Sequence, residues 1–224
     1  MSLDRTRQAD IFKVGRNDSS ITIIGSGSVG SFTALAIGKM GAKVIEIFDE
    51  DGVSDVNLPN QFFRHQDLKK FKVNALADIM GEFTDTKILP QIRFYKDQPL
   101  KPVVIVATDS MSSRKMVWEQ FKKQPAAQLY IEARMGAELG MVYTLAKSGG
   151  KVPDDKAKFY ESRLYSDDKV PPQRCTNKAI IYNVLMLSSL ISRVYKGVAM
   201  NQPTPTEVIF NMTFLDQRSL MLTA

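Results

Sequence analysis

The chain has 224 residues, 44% apolar and 24% charged, an ordinary globular composition that excludes a disordered chain. Its 30 Lys and Arg against 24 Asp and Glu give a net charge of +6, but the basic residues are scattered among acids, so no nucleic-acid partner is expected. One Cys and one His exclude a disulfide framework, a zinc site built on Cys pairs and a multi-histidine centre. No apolar run approaches the roughly 20 residues of a membrane span, and the first residues lack the apolar core of a signal peptide. A cytoplasmic protein with no membrane partner is expected, folded as one domain over residues 1–224.

Residues 1–20 are polar and are expected to form a short helix or arm. Ile21–Ile24 reads as a buried parallel strand running into Gly25. A helix is predicted from Ser31 to about Met40, closed by Gly41, then a strand over Val44–Phe48. Residues 51–66 read as a loop, and Asp67 as the N-cap of a helix reaching Met80. Ile88–Phe94 is a weak strand and Val103–Ala107 a strong one, ending at Thr108-Asp109. A helix over Ser112–Lys123 precedes strands at Leu129–Ala133 and Met141–Leu145. Residues 148–174, with Gly149-Gly150, Pro153 and Pro171-Pro172, read as a long crossover loop. Ala179–Val194 is apolar nearly all round, as in a buried helix or an oligomer interface. Glu207–Phe214 and Ser219–Leu222 read as a closing hairpin turning at Asp216-Gln217. The alternation predicts an α/β fold: a Rossmann-like, doubly wound, mostly parallel sheet with a C-terminal antiparallel extension.

Gly25-x-Gly27-x-x-Gly30 stands between a predicted strand and helix, the context in which such a loop binds phosphate. The first glycine permits a tight turn, the second a close approach of the backbone to phosphate, and the third close packing of helix on strand. Amides at the helix N-terminus then face the anion. Asp49, ending the second strand, can accept both ribose hydroxyls of an adenosine. These features indicate an adenine nucleotide without separating NAD from ATP, and an NAD(P)-dependent oxidoreductase fits them. Asp109 ends the next strong strand beside the loop. A carboxylate there is costly next to a triphosphate unless it holds a cation, and Mg²⁺ is the usual one. The acidic stretch from Asp49 through Asp51, continuing to Asn57 and Gln61, also suits a triphosphate better than a nicotinamide.

The chain resembles the ThiF/MoeB/HesA family of ubiquitin-activating-enzyme-like adenylyltransferases over most of its length. Arg7-Gln8 is similar to the family's N-terminal Arg-Gln pair, and Ile24 to Ser31 to its nucleotide loop, with Gly25, Gly27, Ser28 and Gly30. Asp49-x-Asp51-x-Val53, Asn57-Leu58 and Gln61 are similar to its Asp-x-Asp-x-Val and Asn-Leu-x-Arg-Gln block. Lys72 is similar to the lysine that follows, Thr108-Asp109-Ser110 to its Thr-Asp-Asn stretch, and Cys175-Thr176 to its late Cys-Thr. The resemblance implies binding of ATP and Mg²⁺ and adenylation of the C-terminal carboxylate of a ubiquitin-like or sulfur-carrier protein or peptide. Asp49 would hold the ribose, Asn57 and Lys72 the phosphates, and Asp109 the Mg²⁺. Arg7 would reach the γ-phosphate bound by a partner subunit, which implies a homodimer. No general base is needed, because the attacking carboxylate is already ionised near neutral pH.

The chain departs from that pattern in places. Asn60 stands where the family has an arginine, with Arg64 close enough in sequence to replace it. A scaffold that binds nucleotide without catalysis would fit this loss. The paired Cys-x-x-Cys zinc motifs are absent, and Glu132 to Glu138 with Tyr143 resembles a compact zinc-free bacterial or phage branch. Cys175 is either a thiol that accepts the activated acyl group or sulfur, activated by a helix N-terminus, or a buried apolar residue. His65 reads as a loop residue, Trp118 as packing, and Met186-Leu187 with Leu190 and Ile191 as core or dimer seam.

Overall fold

Two runs of β-branched residues, Ile21–Ile24 (β1) and Val103–Val106 (β4), form the centre of the fold, and every residue in both is buried. They pair in parallel, and burial on both faces is what continuous apolar strands of a parallel sheet require. The computed structural model describes residues 2–12, 20–166 and 179–222. Val44–Phe48 (β2) and Lys87–Gln91 (β3) extend the parallel sheet on one side and Leu129–Gly136 (β5) on the other. Leu139–Ala146 (β6), Glu207–Asn211 (β7) and Asp216–Leu220 (β8) continue it antiparallel. The order is β3-β2-β1-β4-β5-β6-β7-β8, so the chain leaves β1 to one side and returns to the other at β4. The carboxyl ends of β1 and β4 therefore flank a topological switch point, where open α/β sheets bind ligands.

Alternate strand residues face two helical layers. Ile21, Ile23, Ile45, Ile47 and Ile105 pack with Ser28–Met40 (α1), Lys72–Phe83 (α2) and Ile181–Ala199 (α5). Ile24, Val104, Val106 and Tyr130 pack with Met111–Lys123 (α3) and Asp154–Glu161 (α4) around Trp118, Phe121 and Tyr160. Both outer strands are unattractive to a further strand. Edge strand β3 carries Pro90, and all of β8 is exposed, with Asp216 and Arg218 paired along it. Among the described residues no helix is long and apolar enough to cross a membrane.

The structure corrects several boundaries. Helix α1 starts at Ser28 and not Ser31, because Gly25 at φ 95° turns the chain so sharply that Gly27 already serves as N-cap. Asp67 does not cap α2. It closes a 3-10 turn, His65–Asp67, and is fully buried under hydrogen bonds from Arg64, while α2 begins at Lys72. Charge-assisted bonds from a guanidinium outcompete a cap to backbone amides. The 148–174 stretch is not all loop: Asp154 and Asp155 open α4, suiting its N-terminal dipole, and Tyr160 pins it to the sheet. The closing hairpin turns at Met212–Leu215, and Asp216 and Gln217 lie in β8 opposite Asn211 and Phe210. Helix α5 buries one side, including Leu187 and Ile191, and leaves Ile181, Tyr182 and Leu185 exposed.

Residues 2–12 form an arm with a single 3-10 turn, Thr6–Gln8. It docks on the C-terminal end of α1, where Arg5 Nε donates to Lys39 O at 2.9 Å and Gln8 Nε2 to Met40 O at 2.9 Å. Arg5 also pairs with Asp85 through both guanidinium nitrogens.

A β-carbon at Gly30 would sit 1.9 Å from Gly25 O, whereas one at Gly27 would meet nothing within 4 Å. Gly30→Ala is therefore expected to cost roughly 1–3 kcal/mol in urea unfolding, and Gly27→Ala to leave the midpoint near that of wild type. The arm is expected to respond to acid. Hydrogen bonds from Arg5, opposed by burial, hold the Asp85 carboxyl well below the usual carboxylate range. Such a depressed group adds stability that is present above its unfolded value of about 3.9 and is lost as pH falls through the folded value. Asp85→Asn is expected to remove on the order of 1 kcal/mol at neutral pH and to flatten the acid side of the stability profile.

Candidate functional site

The site begins where β1 ends. Gly25 N donates to Phe48 O at 2.9 Å and Ala107 N to Ile24 O at 2.8 Å, so the loop is clamped between the ends of β2 and β4. A side chain at Gly25 would press on Ala107 O at 2.6 Å. The loop thus closes tightly behind Gly25 and Gly30 and stays open at Gly27, where the N-terminus of α1 faces outward.

The acidic stretch folds back on this loop. Asp49 accepts from Ser26 N at 2.7 Å with one carboxylate oxygen and from Asp51 N at 2.9 Å with the other. A carboxylate offers about four acceptor sites, so capacity remains for the hydroxyls of a ribose. Lys72 Nζ meets Asp51 Oδ2 at 2.8 Å, with the lysine side chain 8% exposed and the aspartate 63%. The lysine amide also donates to Asp51 O, tying the start of α2 to the loop. Asn57 Oδ1 accepts from Ser54 N and Oγ and so caps a short 3-10 turn. Beyond it the chain crosses the first turn of α1: Ser28 Oγ donates to Asn60 Oδ1 at 3.3 Å and Phe62 N to Ser31 Oγ at 3.0 Å.

On the other flank, Asp109 follows β4 and is exposed, and Ser110 caps α3 by accepting from Ser113 N. Three buried polar atoms in this region, Ser26 Oγ, Thr108 Oγ1 and Gln61 Oε1, have no hydrogen-bond partner. Buried polar atoms are seldom left unpaired, and these three are shut away from the surface, so a ligand resting on the loop would meet them only if the loop moved. Among the described residues no three His, Cys, Asp or Glu side chains converge as a metal cage. A divalent cation here would rest on Asp109 and on ligand oxygens, a donor set that suits Mg²⁺.

The structure thus gathers Gly25, Gly27, Ser28, Gly30, Asp49, Asp51, Asn57, Asn60, Gln61, Lys72, Asp109 and Ser110 at one end of the sheet. It does not bring Arg64 there. Its guanidinium is held by Asp67 at 2.8 Å and Glu82 at 2.5 Å, so Arg64 does not stand in for the arginine replaced by Asn60. Arg7 is also apart. It lies on the arm at the C-terminal end of α1, a helix of 13 residues spanning about 20 Å, with the loop at its other end. Cys175 lies outside the described residues.

One cluster escaped sequence reasoning. Glu132 is fully buried in β5 and is met by Arg114 Nε at 3.1 Å, by Arg134 and by the Tyr160 hydroxyl. Burial works against the charge of Arg134, but its hydrogen bond to Glu132 and the attraction of that carboxylate together outweigh it and raise its pKa. Burial drives the Tyr160 phenol well above its ordinary value, so it stays a donor. An acid inside the apolar run Leu129-Tyr130-Ile131-Glu132-Ala133 was the available signal, since such a group must be paired.

The sequence profile of the ThiF family matches residues 13–219. Among curated proteins no sequence matches the chain. Among solved structures, selenomethionine PaaA superposes with a TM-score of 0.71 at 17% identity, over 93% of this chain and 74% of that one. E. coli MccB with ATP gives 0.72 at 14% identity, over 91% of this chain and 64% of MccB. E. coli MccB with AMPCPP and selenomethionine MccA gives 0.72 at 14% identity, over 92% and 64%. The chain therefore spans somewhat under two thirds of the length of MccB, and at these identities the likeness is one of fold. With the family profile matched over nearly all of its length, the chain belongs to the ThiF family.

Proposed function

We propose that the chain is an ATP-dependent adenylyltransferase that activates the C-terminal carboxylate of a peptide or of a small carrier protein, including one of ubiquitin-like type. The observation that carries this reading is the glycine loop, closed behind Gly25 and Gly30 and open at Gly27, with Asp49, Lys72 and Asp109 at the same end of the sheet. The solved structures of MccB with ATP, and with AMPCPP and MccA, support a nucleotide and a peptide as the two substrates.

In this reading the acyl carboxylate attacks the α-phosphorus of ATP. A new oxygen–phosphorus bond forms, the bond to the pyrophosphate oxygen breaks, and AMP remains on the acyl group. Two anions meet in that step, so the residues have to orient the phosphates and neutralise charge more than move protons. The amides after Gly27 face the phosphates at the helix N-terminus. Lys72 has three donors, and only one is needed for Asp51. Asn60, whose segment crosses the first turn of α1, and Asn57 and Gln61 beside it would line the phosphate side, and Asp49 would take the ribose. Asp109 would hold Mg²⁺, which supplies further neutralisation of the phosphate oxygens when bound. Arg7 is too far from its own loop to serve it, which supports a homodimer in which each arm serves the other subunit's site.

Thermal unfolding with ATP and Mg²⁺ tests the site. A ligand at about 100 times its dissociation constant adds roughly 2.7 kcal/mol. Wild type is expected to show a Mg²⁺-dependent shift that Asp109→Ala loses. A shift with NAD that ignores Mg²⁺ would overturn the reading. Exchange in trans has its own test. Arg7→Ala and Asp109→Ala proteins are each expected to release little pyrophosphate with the acceptor, and a mixture of the two to regain activity through hybrid dimers carrying one complete site. A mixture as inactive as its parts would overturn exchange in trans, and an Arg7→Ala protein as active as wild type would remove Arg7 from the mechanism.

A further inference from the structure

Glu132 lies beside Val106, the last residue of β4, one residue before the neighbouring chain turns through Ala107 and Thr108 into Asp109. Arg114, buried in α3, bridges that turn. One terminal guanidinium nitrogen donates to Thr108 O at 2.5 Å, the other reaches Asp109 O at 3.4 Å, and Nε faces Glu132 at 3.1 Å. Tyr160 of α4 and Arg134 hold Glu132 from its other sides. The Asp109 side chain is exposed and has no hydrogen-bond partner among the described residues. The path of the backbone at Thr108 and Asp109 fixes the Cα–Cβ bond of Asp109, and with it the region its carboxylate can reach, and Arg114 grips the carbonyls of both residues.

A buried ion pair is a weak source of stability, since apolar residues of similar volume often do as well. A fixed backbone direction is a different matter. Mg²⁺ demands near-ideal octahedral geometry, so a lone carboxylate ligand on a turn must be aimed. We infer that Arg114, itself held by Glu132, is a positioning residue that aims Asp109 at the metal–nucleotide complex. This rests on the proposed function. It also ties α4 to the site, because Tyr160 donates to the same carboxylate that steadies Arg114.

The experiment is calorimetric titration of ATP, once in Mg²⁺ and once in EDTA, on wild type, Asp109→Ala, Arg114→Lys, Glu132→Gln and the double variants of each with Asp109→Ala. Lysine cannot reproduce the fork that spans two carbonyls and a carboxylate. The Mg²⁺-dependent gain in ATP affinity is expected to fall about tenfold in Arg114→Lys and in Glu132→Gln, as for other residues that orient a metal ligand. Affinity in EDTA is expected to stay near that of wild type, and neither substitution to add a loss once Asp109 is alanine. An additive loss in the double variants, or an equal loss in EDTA, overturns the inference and leaves the role of Asp109 standing. A wild type that gains nothing from Mg²⁺ overturns the proposed function, and this inference with it. If Arg114→Lys fails to fold, Glu132→Gln, which keeps the shape of the side chain, makes the same comparison with and without Asp109.

Discussion

No atom fits between the first turn of α1 and the strand that precedes it. A β-carbon at Gly30 would overlap Gly25 O, and one at Gly25 would press on Ala107 O. That single steric limit brings the helix axis close to the ends of β1 and β4, and the rest of the site follows from it. With the helix started at Ser28, the hydroxyls of Ser28 and Ser31 are placed to receive the segment around Asn60 and Phe62. With Gly25 bound to Phe48 O, the end of β2 is near enough for Asp49 to take the amide of Ser26. This end of the sheet is thus built around a close backbone contact, and its side chains are arranged on that contact.

What the sequence made legible was local. Ile21–Ile24 and Val103–Val106 announce buried parallel strands because nothing polar interrupts them, except Thr22, whose hydroxyl accepts from Lys101 N. The glycine spacing announces the loop, and Gly41 the end of α1, where it adopts φ 112°. What stayed hidden were choices between partners distant in sequence. Asp67 has the chemistry of a helix cap, but Arg64 and Lys70 make a stronger claim on it. Arg64 looked available to replace a missing arginine until Glu82 and Asp67 engaged it. Arg7 sits early in the chain, and only the docking of Gln8 on Met40 reveals that it lies at the far end of a helix from the loop it was linked with. The family resemblance put Asp49, Lys72 and Asp109 in one region, but not the bonds by which Asp49 secures the loop or Asp51 pairs with the lysine.

The charges around the loop fall into two groups with different surroundings. Lys72 is nearly buried, and an ammonium in that position needs a counter-charge, which the largely exposed Asp51 supplies. Behind Asp109, Arg114, Glu132 and Arg134 are all shielded, where charges interact strongly and tolerate little displacement. The first group is open to rearrangement when an anion arrives. The second is a rigid support.

The two edges of the sheet are blunted by unlike means, a proline in β3 and exposed, charged residues along β8. Neither edge is a good template for another backbone. Any association with another molecule is then left to side-chain surfaces, where complementary shape decides what binds. A fold that refuses strand addition at both ends can display apolar residues such as Phe214 and Leu215 at a hairpin tip while keeping its sheet from seeding aggregates.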